Sequence, residues 1–352
     1  MRHDVRSRKL PFAAAAVVLL GVFGALACSG CGATAVCRTI GINDPGNRTM
    51  RREALSYGLG EFCKQMLSRN APLKLADDAP IAGRFYPTSC HTRELSSGDL
   101  MMDFDGWGYA WTNVSQKVTF TTSGVVEYNQ DFRCSDNNAI YAYFPVKSVK
   151  SSSFAMHVIE QKLASLAPGW IQPFADKFGA EMLSTKLAEG FTVIRDSDNQ
   201  TDFDLGIIPL GKKPEHPFRV KSGSRLTYEN ARVEVHQNER DFIGPIRLEK
   251  PGSLFITMTV EGQPAVDVFV IPKDEADVSM HWYFDVGEVT KLYAEPRITG
   301  VAQQGLEYRQ TVPLPAGSYY VVLDNTLLAG QAAPQNANAA AVSYVIEIGD
   351  AP

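Results

Sequence analysis

No cysteine lies beyond Cys134 in a chain of 352 residues, so any disulfide framework belongs to its first part. Charge of neither sign dominates. The 34 Lys and Arg stand against 39 Asp and Glu, a formal net charge of −5, and basic residues are scattered, which argues against nucleic-acid binding. Only one stretch, Leu10 to Ala27, is uncharged and apolar for long enough to enter a bilayer, so a polytopic membrane protein is excluded. A hydrophobic fraction of 45% excludes wholesale disorder. HExxH, GxSxG, the phosphate-cradling Walker loop and GxGxxG are all missing. Ser135-Asp-Asn137 matches one motif of penicillin-recognising enzymes, but no SxxK or KTG accompanies it. The sequence therefore predicts no enzyme and no cofactor, and its length suits two domains.

What is present begins with an address. Residues 2–9 carry Arg2, Arg6, Arg8 and Lys9 against Asp4, and the apolar stretch follows. A basic start, an apolar run and small residues before a cysteine have the layout of a secretory signal, with a retained anchor as the alternative. The run Gly24-Ala-Leu-Ala-Cys28-Ser-Gly-Cys31-Gly resembles the lipobox of bacterial lipoproteins. In that family the peptidase cuts before a cysteine whose thiol is acylated. Cys31 has Ser29-Gly30 before it and Cys28 has Leu26-Ala27, so the resemblance implies lipidation at one of the two. It also implies a membrane partner reached through acyl chains, each buried methylene contributing about 0.8 kcal/mol. Gly32 or Ser29 after the cysteine, rather than Asp, implies the outer membrane in the enterobacterial version of the family.

Cysteine parity bears on the choice. If Cys31 is acylated, Cys28 leaves with residues 1–30, and Cys37, Cys63, Cys90 and Cys134 remain as an even set able to form two disulfides in an oxidising compartment. If Cys28 is acylated, one thiol is left over. Parity favours Cys31. The four spacings lack the close pairs of a zinc site. Removing residues 1–30 takes four bases and one acid and moves the charge from −5 to −8, which suits an envelope protein.

Residues 31–47 are small, polar and broken by Gly and Pro, and read as a linker. Leu55, Leu59, Phe62, Met66 and Leu67 recur at helical spacing after the N-cap candidates Asn47 and Thr49. Strands are predicted at Ile81–Tyr86, Leu100–Trp111, Lys117–Thr122, Val125–Phe132 and Ile140–Val149, with Thr122-Ser-Gly124 as a hairpin loop. Trp107, Tyr109 and Trp111 alternate and so line one face. From Ser152 to Glu189 the spacing of Val158, Leu163, Leu166, Trp170, Phe174, Phe178, Met182 and Leu187 predicts a long helix, broken near Pro168-Gly169 and Pro173. Phe191–Arg195 and Phe203–Pro209 return to strand. Residues 48–210 are thus expected to form an α+β domain, an antiparallel sheet packed on a long broken helix. The order around Asn138-Ala-Ile-Tyr-Ala-Tyr-Phe144 and the helix after it is similar to that of small envelope lipoproteins with a tubular lipid-binding fold. That likeness implies an apolar or lipid ligand in a groove walled by Trp170, Phe174 and Phe178.

Gly211-Lys-Lys-Pro-Glu-His-Pro217 is predicted as the domain boundary. After it Arg232–His236, Leu254–Val260, Val266–Val270, Tyr319–Leu323 and Val342–Ile348 alternate at period two, and no long helix is predicted. Residues 218–352 read as an all-β sandwich or jelly roll. Leu314-Pro-Ala-Gly-Ser-Tyr-Tyr-Val-Val-Leu323 resembles the closing strand of jelly-roll modules of the prepeptidase C-terminal type, which implies an accessory or adhesive role. Gln331 to Ala341 reads as a mobile surface loop.

Candidate chemistry is thin. Asp196, Asp198 and Asp202 are close enough in sequence to converge on a hard cation, but the calcium loop wants Gly and Glu where Thr201 and Ile207 stand, and a solvated turn is the competing reading. Asp103-Phe-Asp105 has the same ambiguity. A hydrolase with an unfamiliar site would need a carboxylate paired with His91, His157 or His236; His281 beside Trp282 reads as a packed strand residue. The expectation is a secreted, lipid-anchored envelope binding or scaffold protein with a lipid, protein or glycan partner. A structural or adhesive protein without a ligand cavity is the alternative.

Overall fold

The computed structural model describes residues 33–39, 41–47, 62–64, 66–74, 79–111, 117–159, 189–197, 201–212, 225–286, 292–327 and 329–350. Its N-terminal strands are β1 (Ala71–Lys74), β2 (Ile81–Glu94), β3 (Leu100–Trp111), β4 (Lys117–Tyr128), β5 (Asp131–Cys134), β6 (Ile140–Phe144), β7 (Val146–Ile159), β8 (Phe191–Arg195) and β9 (Thr201–Leu205). The C-terminal strands are β10 (Leu226–Val235), β11 (Glu239–Leu248), β12 (Gly252–Glu261), β13 (Ala265–Pro272), β14 (Ile298–Gln303), β15 (Tyr308–Leu314), β16 (Gly317–Asn325) and β17 (Ala340–Gly349). A short helix α1 (Ala33–Cys37) precedes them, and α2 (Lys273–Met280) follows β13 and runs into a π-helical turn, His281–Val286. No helix among the described residues is long and apolar enough to cross a membrane.

The strands form three sheets. One is nine-stranded, in the order β15-β12-β17-β10-β2-β3-β4-β7, with β1 also paired to β2; the others are β11-β16-β13-β14 and β5-β6-β8-β9. The C-terminal half is the expected sandwich. Leu254, Ile256, Met258 and Val260 of β12 are buried together with Val342, Tyr344 and Ile346 of β17, and they share a core with Val266, Val268 and Val270 of β13 and Val321 to Leu323 of β16. Period-two alternation sends one set of side chains inward, and burying each large apolar one contributes about 1.5–3 kcal/mol.

Among the described residues the N-terminal half is also built from sheets, and here the expectation of an α+β domain is corrected. Residues 152–159, predicted to open the long helix, continue β7 and pair with β4. The edge of β4 supplies the hydrogen bonds that a helix would otherwise have to make internally, and the β-branched and aromatic residues of this stretch suit a strand. The remainder of that predicted helix, with Trp170, Phe174 and Phe178, lies outside the described residues. The predicted loop at Thr122-Ser-Gly124 is likewise overridden. Gly124 pairs with Phe104 on one side and Ser152 on the other, so β4 runs through without a break. The linker read over 31–47 is partly folded, since Ala33 and Ile42 are buried and Cys37 is bridged to β5.

A second core lies between β2–β3–β4–β7 and the β5-β6-β8-β9 sheet. Aromatic rings fill it: Phe191 stacks between Phe62 and Phe144, with centroids 3.7 and 4.3 Å away, and Tyr128 meets it edge-on at 5.1 Å. β3 serves both cores. Leu100, Met102 and Phe104 face the N-terminal one, while Tyr109 and Trp111, with Trp107 beside them, face the C-terminal one. Opposite parity along one strand puts the two sets on opposite faces.

The halves on either side of residues 211–217 are therefore joined by a shared sheet and a shared core. Ile81 of β2 sits in parallel register with Val233 of β10. Arg84 of β2 is fully buried and grips the C-terminal half: Nε and Nη2 donate to the two carboxylate oxygens of Asp241, each at 2.7 Å. Nη1 donates to Glu229 and to Asn70 Oδ1, both at 3.1 Å, and Nη2 reaches the Tyr344 hydroxyl at 2.9 Å. Burial works against the guanidinium charge, but Asp241 and Glu229 outweigh it and hold the Arg84 pKa well above its usual value. Desolvation in turn raises the Tyr109 and Tyr344 phenols far above 10, so they stay protonated and donate to Asp241 and Glu229.

Candidate functional site

Where the halves meet, a groove of about 460 Å3 opens. Its floor is aromatic: Tyr86 of β2, Trp107 of β3, Tyr320 of β16 and Phe284 of the π-helical turn. The sequence around Trp107 explains how a large ring stands there. Gly106 and Gly108 flank it and project to the opposite face, where a side chain would find no room. A Cβ at Gly106 would lie 2.4 Å from the Phe85 ring, and one at Gly108 2.5 Å from Phe120. The two glycines let Phe85 and Phe120 cover the strand on the N-terminal side, while Trp107 stacks on Tyr86 with centroids 4.7 Å apart and tilts against Phe284 at 5.4 Å. The Tyr86 hydroxyl donates to the Phe242 carbonyl at 2.7 Å, which fixes that ring.

The rim is polar. α2 begins after Pro272, with Asp274 and Glu275 in its first turn complementing the helix dipole. It carries Lys273 and Asp277 one turn apart as an ion pair, and the π-helical turn carries His281 and Asp285 in the same relation, with Nδ1 and Oδ2 separated by 2.7 Å. These four side chains are 44 to 65% exposed and stand at the mouth. Thr88, Thr121 and Arg69 complete the polar lining, with the Arg69 guanidinium 4.9 Å from the Tyr228 ring centroid. Burial raises the Tyr86 and Tyr320 phenols far above their usual value, so both floor hydroxyls remain neutral at physiological pH. His281, read from the sequence as a packed strand residue, is thus corrected to an exposed position on a helical turn. The sequence offered two usable signals: the Gly-Trp-Gly triplet, and the i, i+4 alternation of base and acid from Lys273 to Asp285.

The residues singled out from sequence fall elsewhere. Cys37 is bridged to Cys134 and Cys63 to Cys90, with Cα atoms 5.4 and 5.2 Å apart, so all four disulfide candidates are used. Disulfides of this kind belong to an extracytoplasmic compartment. Cys28 and Cys31 lie outside the described residues, as do Trp170, Phe174, Phe178 and Asp198. Asp196 follows β8 and Asp202 sits in β9, two strands that pair antiparallel. Among the described residues no group of three or more His, Cys, Asp or Glu could hold a metal. His91 is 3.8 Å from Asp103, both exposed, and His236 packs its ring at 6.3 Å from that of Trp111. The side chain of His157 lies outside the described residues.

The stretch expected to be a mobile loop is held by two buried side chains. Gln263 donates to the Asn336 and Asn338 carbonyls at 3.0 and 2.6 Å and accepts from the Gln335 amide at 3.0 Å. Asp267 accepts from the amides of Gln331 and Ala332, both at 2.9 Å. Backbone groups that would otherwise face water are thereby paired to the body of the sandwich.

No protein-family model matches the chain, and no curated protein does. Among solved structures it is similar to the K3 cleaved adhesin domain of Lys-gingipain from Porphyromonas gingivalis W83, at 14% identity over 34% of this chain and 71% of that one, with a TM-score of 0.23. It is also similar to the CBM36-1 domain of a multidomain xylanase from the hindgut metagenome of Trinervitermes trinervoides, at 13% identity over 36% and 77% of the two chains and a TM-score of 0.18. A glycoside hydrolase family 43 arabinoxylan arabinofuranohydrolase from Bacillus subtilis aligns at 7% identity over 75% and 67%, with a TM-score of 0.21. At such scores none of the three bears on function.

Proposed function

We propose that this chain is an exported, lipid-tethered binding protein of the cell envelope that takes its ligand in the groove between its two sandwiches. One observation carries the binding half of this reading: Trp107, half-buried and stacked on the buried Tyr86 that its own hydrogen bond fixes, lines a groove beneath a polar rim, an apolar wall with a few polar groups as in small-ligand sites. The expected lipid groove of Trp170, Phe174 and Phe178 lies outside the described residues, and the described interior of the N-terminal sandwich is packed with the rings of Phe62, Tyr128, Phe144 and Phe191, so the ligand is assigned to the junction. The export half is supported by the two disulfides. They consume every cysteine after Cys31, which leaves Cys28 and Cys31 for the tether, and the parity argument favours Cys31. The ligand-binding role needs no nucleophile, and the activity assigned is binding without catalysis.

Metabolic labelling with radioactive palmitate in a bacterial host tests the tether. Label should enter the wild-type chain and be lost in Cys31→Ser. Label that persists in Cys31→Ser and disappears in Cys28→Ser moves the tether to Cys28, and no label in the wild type refutes lipidation. The groove is tested separately by Thr88→Arg, an exposed lining residue. That variant should retain the wild-type melting temperature while losing retention of envelope ligands, and unchanged retention would refute the groove as the site.

A further inference from the structure

We infer that the ligand of this groove is an uncharged saccharide, with a pyranose ring laid on Trp107; the inference rests on the groove being the binding site. The argument starts from charge. The lining holds two carboxylates, Asp277 and Asp285, against two permanent cations, Lys273 and Arg69, with His281 hydrogen-bonded to Asp285. Lys273 is paired with Asp277, Asp285 is hydrogen-bonded to His281, and Arg69 is held over the Tyr228 ring. An anionic or cationic ligand therefore meets no excess of opposite charge, and gains little Coulomb energy at so exposed a mouth. A fatty acyl chain fares no better, because it would desolvate these charged groups without hydrogen-bonding them.

A pyranose fits both parts of the site. One face of the ring is a layer of C–H bonds that lies flat on an aromatic surface. Its edge is a ring of hydroxyls, each donor and acceptor at once. The rim offers the matching inventory: Lys273 donates only, Asp277 and Asp285 accept only, and Thr88 and Thr121 do both. Trp107 is half-buried, with one face stacked on Tyr86, so it presents a fixed platform that loses little conformational freedom on binding. The groove volume of about 460 Å3 lies within the range of small-molecule sites.

The test uses the full mature chain with its disulfides intact. Binding is read by isothermal titration and by tryptophan fluorescence against neutral hexasaccharides of glucose, xylose, mannose and N-acetylglucosamine at millimolar concentration. Hexagalacturonate and phosphatidylglycerol vesicles serve as charged comparisons. At least one neutral hexasaccharide should bind, and Trp107→Ala should weaken it about tenfold, the loss of one aromatic contact. Because Trp107 also packs against the core, Asp277→Asn and Asp285→Asn form a second arm. Their side chains are 46 and 65% exposed, so the fold should hold while affinity falls severalfold. No binding by any neutral hexasaccharide overturns the inference, as does binding that ignores all three substitutions. Binding of hexagalacturonate or vesicles alone, abolished by Thr88→Arg, would overturn the uncharged saccharide and leave the groove standing as the ligand site.

Discussion

Arg84 joins the two sandwiches, and replacing it should have a cost that its place in an aromatic strand does not suggest. In Arg84→Met the aliphatic part of the side chain is kept and the guanidinium is lost. Asp241, fully buried, and Glu229, with 13% of its side chain exposed, are then left with phenols as their chief donors. Breaking a buried ion pair by removing one partner costs about 3–5 kcal/mol, because a charge remains in a medium that cannot solvate it. That is a large share of a typical stability of about 5–15 kcal/mol. The exposed pair of Arg309 and Glu307 gives the contrast, since Arg309→Ala should leave stability close to that of the wild type. The assay is urea unfolding at neutral pH, followed by tryptophan fluorescence and circular dichroism, with the disulfides intact. A double substitution sharpens it. Asp241→Asn added to Arg84→Met should recover part of the loss, because it removes the stranded charge, whereas Asp241→Asn alone should destabilise. Added salt should leave the wild-type contribution of Arg84 almost unchanged, because a buried pair is poorly screened. A loss below about 1 kcal/mol for Arg84→Met, or one that disappears in high salt, would mean that the cluster is solvated and does not hold the halves together.

The disulfides close separations of 97 and 27 residues, for which chain entropy gives about 4.7 and about 3.6 kcal/mol, so Cys37→Ser/Cys134→Ser should lower stability more than Cys63→Ser/Cys90→Ser in chemical denaturation. Equal losses would point to native-state packing as the cause. The hydrogen bonds from Lys147 and Lys150, at 2.8 and 2.6 Å, depress the Glu127 pKa from 4.5 to about 2. A depressed carboxylate stabilises the fold above its unfolded value and ceases to do so as pH falls through the folded one. The stability difference between wild type and Glu127→Gln should therefore shrink from pH 4.5 down to about 2, and a difference independent of pH would contradict the assignment. Gln263→Ala removes the buried amide that holds residues 335–338, at about 1–3 kcal/mol for the backbone groups left unpaired, and should expose that stretch to limited proteolysis. Cleavage no faster than in wild type would refute its role as an anchor.

Local pattern was enough for much of this molecule. Alternation along Leu254–Val260, Val266–Val270 and Val342–Ile348 can bury one face only as strand, so the C-terminal sandwich was legible. The same rule set Trp107, Tyr109 and Trp111 on a common face, and cysteine parity anticipated that four thiols would pair, though not with which partners. Tertiary context decided the rest. Ser123 and Gly124 look like a turn until strands on both sides claim their backbone. Glu239, Arg240 and Asp241 look like solvent-exposed chain, yet each is buried in β11, because Lys117, Asp324 and Arg84 arrive from distant strands to pair with them. Such charges can be buried only after their partners are in place, and nothing nearby in sequence records that. The groove belongs to the same class. Its Trp107 and its Lys273-to-Asp285 rim are separated by more than a hundred residues and meet only because one sheet runs through both halves. Periodicity carries the information about which way each side chain faces; what stands opposite it is settled by how the sheets come together.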